Sequence, residues 1–125
     1  MTWSADELDR VGTATELDLA ARRPDDSLSP FTTMWVVRVR DGLYVRSAYG
    51  PDSTWYRRAL RHGRGRIRAA GVEHDVVLEH IRGEDEVHTG IDDAFHAKYD
   101  RYGPRIVGTV VGPDAAQVTL RLDAA

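Results

Sequence analysis

The pattern of apolar and polar positions is clearest over residues 34–60, where two β-rich runs flank Asp41-Gly42. An Asp-Gly pair between alternating strands is typical of a two-residue hairpin turn, because such turns need residues that tolerate a positive φ. A turn at this dipeptide predicts that Arg40 faces Leu43, and this pairing sets the register of the hairpin. One face would carry Met34, Val36, Arg38, Arg40, Leu43, Val45, Ser47 and Tyr49, and the other Trp35, Val37, Val39, Tyr44, Arg46 and Ala48.

Apolar periodicity elsewhere predicts three helices. Ser4 and Glu7 fit a capping box for the first helix, which would end at Gly12. The second spans residues 54–62, and the third spans residues 91–102, opened by Thr89 or Gly90. The side chains predicted to be buried are Leu8 and Val11 in the first helix, Tyr56, Ala59 and Leu60 in the second, and Ile91, Phe95, Tyr99 and Tyr102 in the third.

The remaining apolar runs predict strands over residues 16–21, 64–70, 72–82, 105–111 and 117–122. Ala70-Gly71 would form the turn of a second hairpin, and Gly112-Pro113-Asp114 the turn of a last one. Antiparallel neighbours dominate this order of elements. We therefore expect a single α+β domain over residues 1–125, with an antiparallel sheet curled into a small barrel and short flanking helices.

Composition narrows the functional classes. The 125 residues carry a net charge of −3, which argues against nucleic-acid binding as the default. The sequence contains no cysteine, which excludes disulfides and thiolate metal sites and agrees with a cytoplasmic location. The polar N-terminus does not resemble a signal peptide, and no apolar run has the length of a membrane helix.

Arg46 is the strongest single candidate for a functional residue. It lies near the end of a strand, on the same predicted face as Trp35 and Tyr44, so a buried guanidinium there would need a partner. Two interpretations stay open: Arg46 could hold an anionic ligand near Ser47, at the point where the strand leads into the next helix, or it could form a structural ion pair with a neighbouring carboxylate.

A basic stretch follows. Residues 53–72 contain six arginines and His62 but no acidic residue. Guanidinium groups near a helix N-terminus suit phosphate or carboxylate. The alternative is a solvated face, because residues 73–93 are acidic and could pair with the basic strand. The arginines are Arg57, Arg58, Arg61, Arg64, Arg66 and Arg68.

Aromatic residues crowd the same part of the chain and could stack on a planar ligand or belong to the core. They are Trp35, Tyr44, Tyr49, Trp55 and Tyr56. The histidines lack the spacing of a zinc site, so we expect no metal centre. Asp92 and His96 are four residues apart on one predicted helix, which suits a surface pair as well as a general base.

The segments LYVRSAYG and STWYRRAL resemble the flavin-binding split-barrel superfamily, which includes pyridoxamine-phosphate-oxidase-like proteins and deazaflavin-dependent nitroreductases. Over almost its whole length, the chain is also similar to a small bacterial family of unknown function, number 2255. The blocks that carry this second likeness are TMWVVR, YVRS, WYRRA, GRGRI and KYDRYG. The resemblance implies a Greek-key split barrel, usually a homodimer with cofactors at the subunit interface.

The resemblance also implies a phosphate site made by a hydroxyl at a strand end and by the next helix. Ser47 matches the first position, and the matching helix opening is Ser53, Thr54, Trp55 and Tyr56, with Arg57 and Arg58 nearby. Trp35, Tyr44 and Trp55 would lie near the ring, and Arg46 near the phosphate. The lysine common in pyridoxamine-phosphate-oxidase-like proteins is absent, with Trp55 near its place, which favours a deazaflavin or no cofactor over FMN.

Three functional hypotheses follow. The first is a flavin- or deazaflavin-binding oxidoreductase that acts on a small molecule, in which the cofactor supplies the hydride chemistry. The second is a cofactor-free module that binds a small anionic or aromatic ligand in the same pocket. The third, which the net charge disfavours, is RNA contact through residues 57–68.

Overall fold

The computed structural model describes residues 2–125, and its strands form one seven-stranded sheet in which every pair is antiparallel. The strands are β1 (Leu17–Ala21), β2 (Thr32–Met34), β3 (Val37–Val39), β4 (Gly42–Arg46), β5 (Arg64–Ala69), β6 (Val72–Ile81) and β7 (Thr119–Ala124). Their order across the sheet is β2-β1-β5-β6-β7-β4-β3, and the sheet curls into a half-barrel. The predicted α+β split barrel is confirmed.

Five short helices and one 3-10 turn flank the sheet. They are α1 (Ala5–Thr13), α2 (Thr54–His62), α3 (Val87–Tyr99), the 3-10 turn Asp100–Tyr102, α4 (Pro104–Val107) and α5 (Pro113–Ala116). The Ser4–Glu7 capping box is present, but α1 continues one residue beyond Gly12. Helix α2 has the predicted bounds, whereas α3 begins earlier than expected, because the Asp85 carboxylate accepts the free backbone N–H of Val87.

The first hairpin turns one residue earlier than predicted. Val39 pairs with Gly42, so the turn residues are Arg40 and Asp41, and Arg40 takes a φ of 55°. Gly42 lies in the strand, where a Cβ would come within 2.7 Å of the Tyr44 ring. The glycine is therefore needed for this close approach and not for a positive φ. Each pairing changes by two residues, so the two predicted faces are preserved.

The two faces of the β3–β4 hairpin contribute to two separate cores. Leu43 and Val45 point into the half-barrel, where side chains from α1 and α2 fill the interior. Val37 and Tyr44 point the other way, into a second cluster closed by α3. Arg46 shares this second face, because its guanidinium lies 5.7 Å from the Phe95 ring centroid.

Four expectations about local structure were wrong, among them the hairpin turn at Gly112-Pro113-Asp114, where Pro113 begins α5 instead. Residues 105–111 do not form a strand: Pro104 and Pro113 each begin a one-turn helix, since their fixed φ suits the first helical position. Leu60 and Tyr102 are 48% and 42% exposed, so neither is a core residue.

The Ala70-Gly71 turn is confirmed, with a positive φ at both residues. Within residues 2–125, no helix has the length and apolar character needed to cross a bilayer.

Candidate functional site

Arg46 lies at the centre of a buried polar cluster, the Arg46 network, formed with His88, Asp92, Thr119 and the carbonyl of Val110. Its side chain is 0% exposed. Nη1 donates to the Val110 carbonyl oxygen at 2.8 Å and pairs with the Asp92 carboxylate, while Nε donates to Thr119 Oγ1 at 2.9 Å. Nη2 lies 3.0 Å from His88 Nδ1. The structural ion pair considered for Arg46 is thus present.

These contacts leave Arg46 few donors for a ligand. A guanidinium has five N–H groups, and four hydrogen bonds to the protein are already made. Burial lowers the pKa of Arg46 and the Asp92 partner raises it again, so the side chain stays charged. His88 Nε2 lies 2.7 Å from the Arg82 carbonyl oxygen, which assigns Nε2 as the donor and Nδ1 as the acceptor from Arg46.

Next to this network lies an open groove of about 390 Å³, the Trp35–Trp55 groove. It combines residues from five parts of the chain: the α1–β1 connection, β2 with the residue after it, the end of β4 with the loop that follows, the start of α2, and α4 with the loop after it. Of the ten residues predicted for the site, it contains Trp35, Arg46, Ser53 and Trp55. The other lining residues are Glu16, Thr32, Thr33, Met34, Ala48, Tyr49, Ile106, Thr109 and Val110.

Trp35 is held in place by an aromatic stack. Its ring is nearly parallel to that of Tyr99, with centroids 4.0 Å apart. Tyr99 is anchored in turn, because its hydroxyl donates to the Thr15 carbonyl oxygen at 2.8 Å and accepts the Val36 N–H at 3.2 Å. Burial raises the pKa of Tyr99 to about 12, so this anchor stays neutral at physiological pH.

The N-terminus of α2 supplies the polar end of the groove. Ser53 is the N-cap residue, but its hydroxyl does not cap the helix, and the first turn contains no acidic residue. The first backbone N–H groups of a helix lack intrahelical partners and attract negative charge. Trp55 points to the groove, whereas Tyr56 is buried in the barrel core with its hydroxyl 3.4 Å from the Gln117 carbonyl oxygen.

The other predicted site residues lie elsewhere. Ser47 is buried and donates to the Gly50 carbonyl oxygen at 2.6 Å, beside a neighbouring cavity of about 630 Å³ that shares Ala48 and Thr109 with the groove. Tyr44 lines a separate cleft of about 660 Å³. Thr54, Arg57 and Arg58 are on α2 but do not line the groove.

The basic stretch divides into two parts. On β5, Arg64 pairs with Asp26, Arg66 with Glu73 and Asp75, and Arg68 with Asp18. Pairing with the acidic segment 73–93 was expected for this strand, and only Arg66 pairs there, because Asp18 and Asp26 lie outside that segment. The α2 arginines, Arg57, Arg58 and Arg61, form no ion pair within residues 2–125.

Two further sets of expectations concern histidine and metal. Asp92 and His96 do not pair with each other: Asp92 binds Arg46, and His96 Nδ1 lies 2.7 Å from Asp100. This partner raises the pKa of His96. Across the described chain from Thr2 onwards, no three His, Asp or Glu side chains form a group that could hold a metal ion.

Sequence reasoning missed several residues at or near the groove. Glu16 and Thr109 lie in connections and Thr32 lies in the edge strand β2, and the placement of all three depends on the whole fold. His88 and Asp92 could have been found, because they fall on the same helical stripe as Phe95, and polar side chains on a buried stripe require partners.

The sequence profile of a family described as an uncharacterised protein conserved in bacteria, DUF2255, matches residues 7–122. The chain belongs to the DUF2255 family. The match covers every element from within α1 to within β7. A search among curated proteins finds no significant match.

Solved structures with the same architecture place this DUF2255 chain among split-barrel proteins. HutZ, the heme storage protein from Vibrio cholerae, has a TM-score of 0.65 at 14% identity, covering 100% of this chain and 92% of its own. An F420 reductase has a TM-score of 0.63 at 16% identity, covering 94% and 92%. A FAD-binding protein from Mesorhizobium loti has a TM-score of 0.62 at 16% identity, covering 100% and 92%. At these identities, the likeness establishes the fold alone.

Proposed function

We propose that this chain binds a flavin or deazaflavin cofactor in the Trp35–Trp55 groove and acts in the cytoplasm, as a homodimer, as an oxidoreductase on a small molecule. The single observation that carries this proposal is the convergence of two indole rings and the start of α2 on one groove. Pockets that bind small molecules are mostly apolar and contain a few directed polar groups, which describes this groove.

The ring part of such a cofactor fits the aromatic wall. Trp35 has a fixed orientation because it stacks on Tyr99, and Trp55 makes an edge contact with Tyr56. Rigid aromatic side chains bind planar rings at low entropic cost. When bound, the cofactor would supply hydride transfer, and the protein would orient its ring and exclude water from it.

The phosphate part fits the start of α2. The Ser53 hydroxyl and the first backbone N–H groups of α2 are donors without a capping partner, and the first turn has no carboxylate to compete. Arg46 fits this role less well, because its donors are used within the Arg46 network. We therefore assign Arg46 to supporting the groove wall from behind.

The fold adds support. Proteins with this architecture include one named as an F420 reductase and one named as FAD-binding, each at 16% identity to this chain. The same architecture occurs in a heme storage protein, so the fold alone does not select the ligand.

Titration of the purified protein with FMN and with a deazaflavin tests the proposal. We expect quenched tryptophan fluorescence, a raised melting temperature and sedimentation of the loaded protein as a dimer, because ligand that binds only the folded state stabilises it. Trp35→Ala and Trp55→Ala should each weaken binding about tenfold, as removing an aromatic ring that stacks on a base costs roughly 1–3 kcal/mol in other proteins.

Tyr44→Phe is the matched control, because Tyr44 was predicted for the same site but lies in a different cleft. It should leave both affinities unchanged. If neither cofactor binds at millimolar concentration, or if Tyr44→Phe weakens binding as much as the tryptophan variants do, the proposal is wrong.

One observation favours a second function, a cofactor-free module for aromatic ligands. Arg46 is the only basic residue that the described part of the chain contributes to the groove lining, and its side chain has no exposed surface and is paired with Asp92. A colourless protein whose melting temperature rises with aromatic compounds but not with flavins would support this version. Absence of any shift with either class would exclude both.

A further inference from the structure

The charges at the Trp35–Trp55 groove are opposite to those of a simple anion site. Two charged residues border it, Arg46 and Glu16, but the Arg46 side chain has no exposed surface. The guanidinium is paired with Asp92 inside the protein, whereas Glu16 is exposed and forms no ion pair within residues 2–125. The uncompensated charge at the groove is therefore negative.

Glu16 lies close to the aromatic wall. It is in the short connection between α1 and β1, next to Thr15, whose carbonyl oxygen accepts the hydroxyl of Tyr99. Burial is the main cause of the raised pKa of Tyr99, the residue stacked on Trp35; among the nearby charged groups, Tyr102 and then Glu16 raise this pKa, and Arg101 lowers it. Thr33, which also lines the groove, donates its hydroxyl hydrogen to Asp18 and not to Glu16.

We propose that Glu16 determines the charge of the ring system that the groove accepts. Planar rings that are neutral or carry a positive charge would be bound, and rings with an anionic substituent would be rejected. Two indole faces beside one carboxylate give a planar cation both a cation–π contact and an ionic partner. This inference rests on the proposed function, because it requires that a ring occupies the groove.

The inference also separates two parts of a ligand. A phosphate at the start of α2 would meet helix N–H groups, whereas a charge on the ring would meet Glu16. A partly exposed carboxylate at contact distance changes an equilibrium constant by about fivefold. Selection by ring charge should therefore be moderate and should weaken in salt.

Three naphthalenes of equal size test this inference: 2-naphthylmethylammonium, 2-naphthalenemethanol and 2-naphthoate. Their dissociation constants are measured from the NMR shifts of the Trp35 and Trp55 indole N–H signals in the full chain. In the wild type, the cation should bind about tenfold tighter than the anion. Glu16→Gln should reduce this ratio about fivefold and leave the affinity of the neutral alcohol unchanged.

Glu86→Gln is the control, because Glu86 is also exposed but does not line this groove, and the substitution changes the net charge equally. Its ratio should match the wild type. The inference is overturned if the wild type prefers the anion, or if Glu16→Gln and Glu86→Gln give the same ratio. Should the alcohol also fail to shift either indole signal, the groove does not bind rings, and the proposed function is lost with the inference.

Discussion

The Arg46 network and the Trp35–Trp55 groove are adjacent, but the polar groups of the network are paired within the protein, whereas those of the groove are not. In the network, the guanidinium of Arg46 has four protein partners and no exposed surface. In the groove, Ser53 lacks a capping bond and Glu16 lacks an ionic partner among residues 2–125. Buried charge that is fully paired stabilises one arrangement of the chain, whereas unpaired groups on a rigid apolar wall remain available to a ligand.

This contrast between paired and unpaired polar groups indicates which part of the fold is available to a ligand. Arg46 was the most conspicuous residue of the sequence because a charge sits among branched and aromatic side chains. That position reflects its need for partners, which α3 and β7 supply. No sequence motif marks Glu16, yet it carries the uncompensated charge of the groove.

The largest predicted effect concerns the network. Asp92→Ala leaves the Arg46 guanidinium buried without its carboxylate, and breaking such a pair costs about 3 kcal/mol in the free energy of unfolding. Urea unfolding followed by circular dichroism measures this loss. Asp93→Ala at the adjacent exposed position is the control and should change stability by less than about 0.5 kcal/mol. Equal losses for the two variants would mean that the network is not a structural element.

Much of the fold could be predicted because local signals and tertiary structure agree. The α2 bounds, the Ala70-Gly71 turn and the capping box at Ser4 all follow from short-range chemistry. The two faces of the first hairpin were predicted correctly although its turn was placed one residue too late, because successive side chains of a strand alternate between its faces. The strand predicted over residues 105–111 was wrong. Their β-branched composition favours a strand, whereas proline and packing against α3 impose short helices.

The site was less predictable because it is assembled from distant segments. Trp35, Arg46, Ser53 and Trp55 come from one stretch of the chain, where residue type or the family resemblance marks them as candidates. Glu16 and Ile106 reach the same groove only after β1 and the loop around α4 are placed by the fold. No local pattern marks such residues, since their role depends on which side chains they face.

A smaller effect is expected when a threonine of the Arg46 network, Thr119, is compared with a threonine of the groove, Thr109. Thr119 is fully buried, accepts from Arg46 Nε and donates to the Ala115 carbonyl oxygen. Thr119→Val should cost about 1–2 kcal/mol, because it leaves a buried guanidinium N–H unpaired. Thr109→Val in the groove removes only an exposed bond to the Ile106 carbonyl oxygen and should cost less than about 0.5 kcal/mol. Chemical denaturation of both variants measures the contrast, which disappears if the two losses agree.

The last contrast concerns Lys98, a cation that contacts carbonyls where Arg46 has a carboxylate. Its Nζ donates to the Gly12 and Val36 carbonyl oxygens at 2.9 and 2.6 Å, and burial lowers its pKa from 10.5 to about 8. Below pH 8, the ammonium is charged in both states and the full cost of burying it is present. Between pH 8 and 10.5, the unfolded chain binds more protons than the folded one, so stability rises with pH. The wild type should therefore gain stability relative to Lys98→Met between pH 7.5 and pH 10, measured by urea unfolding. A difference that is the same at both pH values would show that the Lys98 ammonium is as well accommodated as the Arg46 guanidinium.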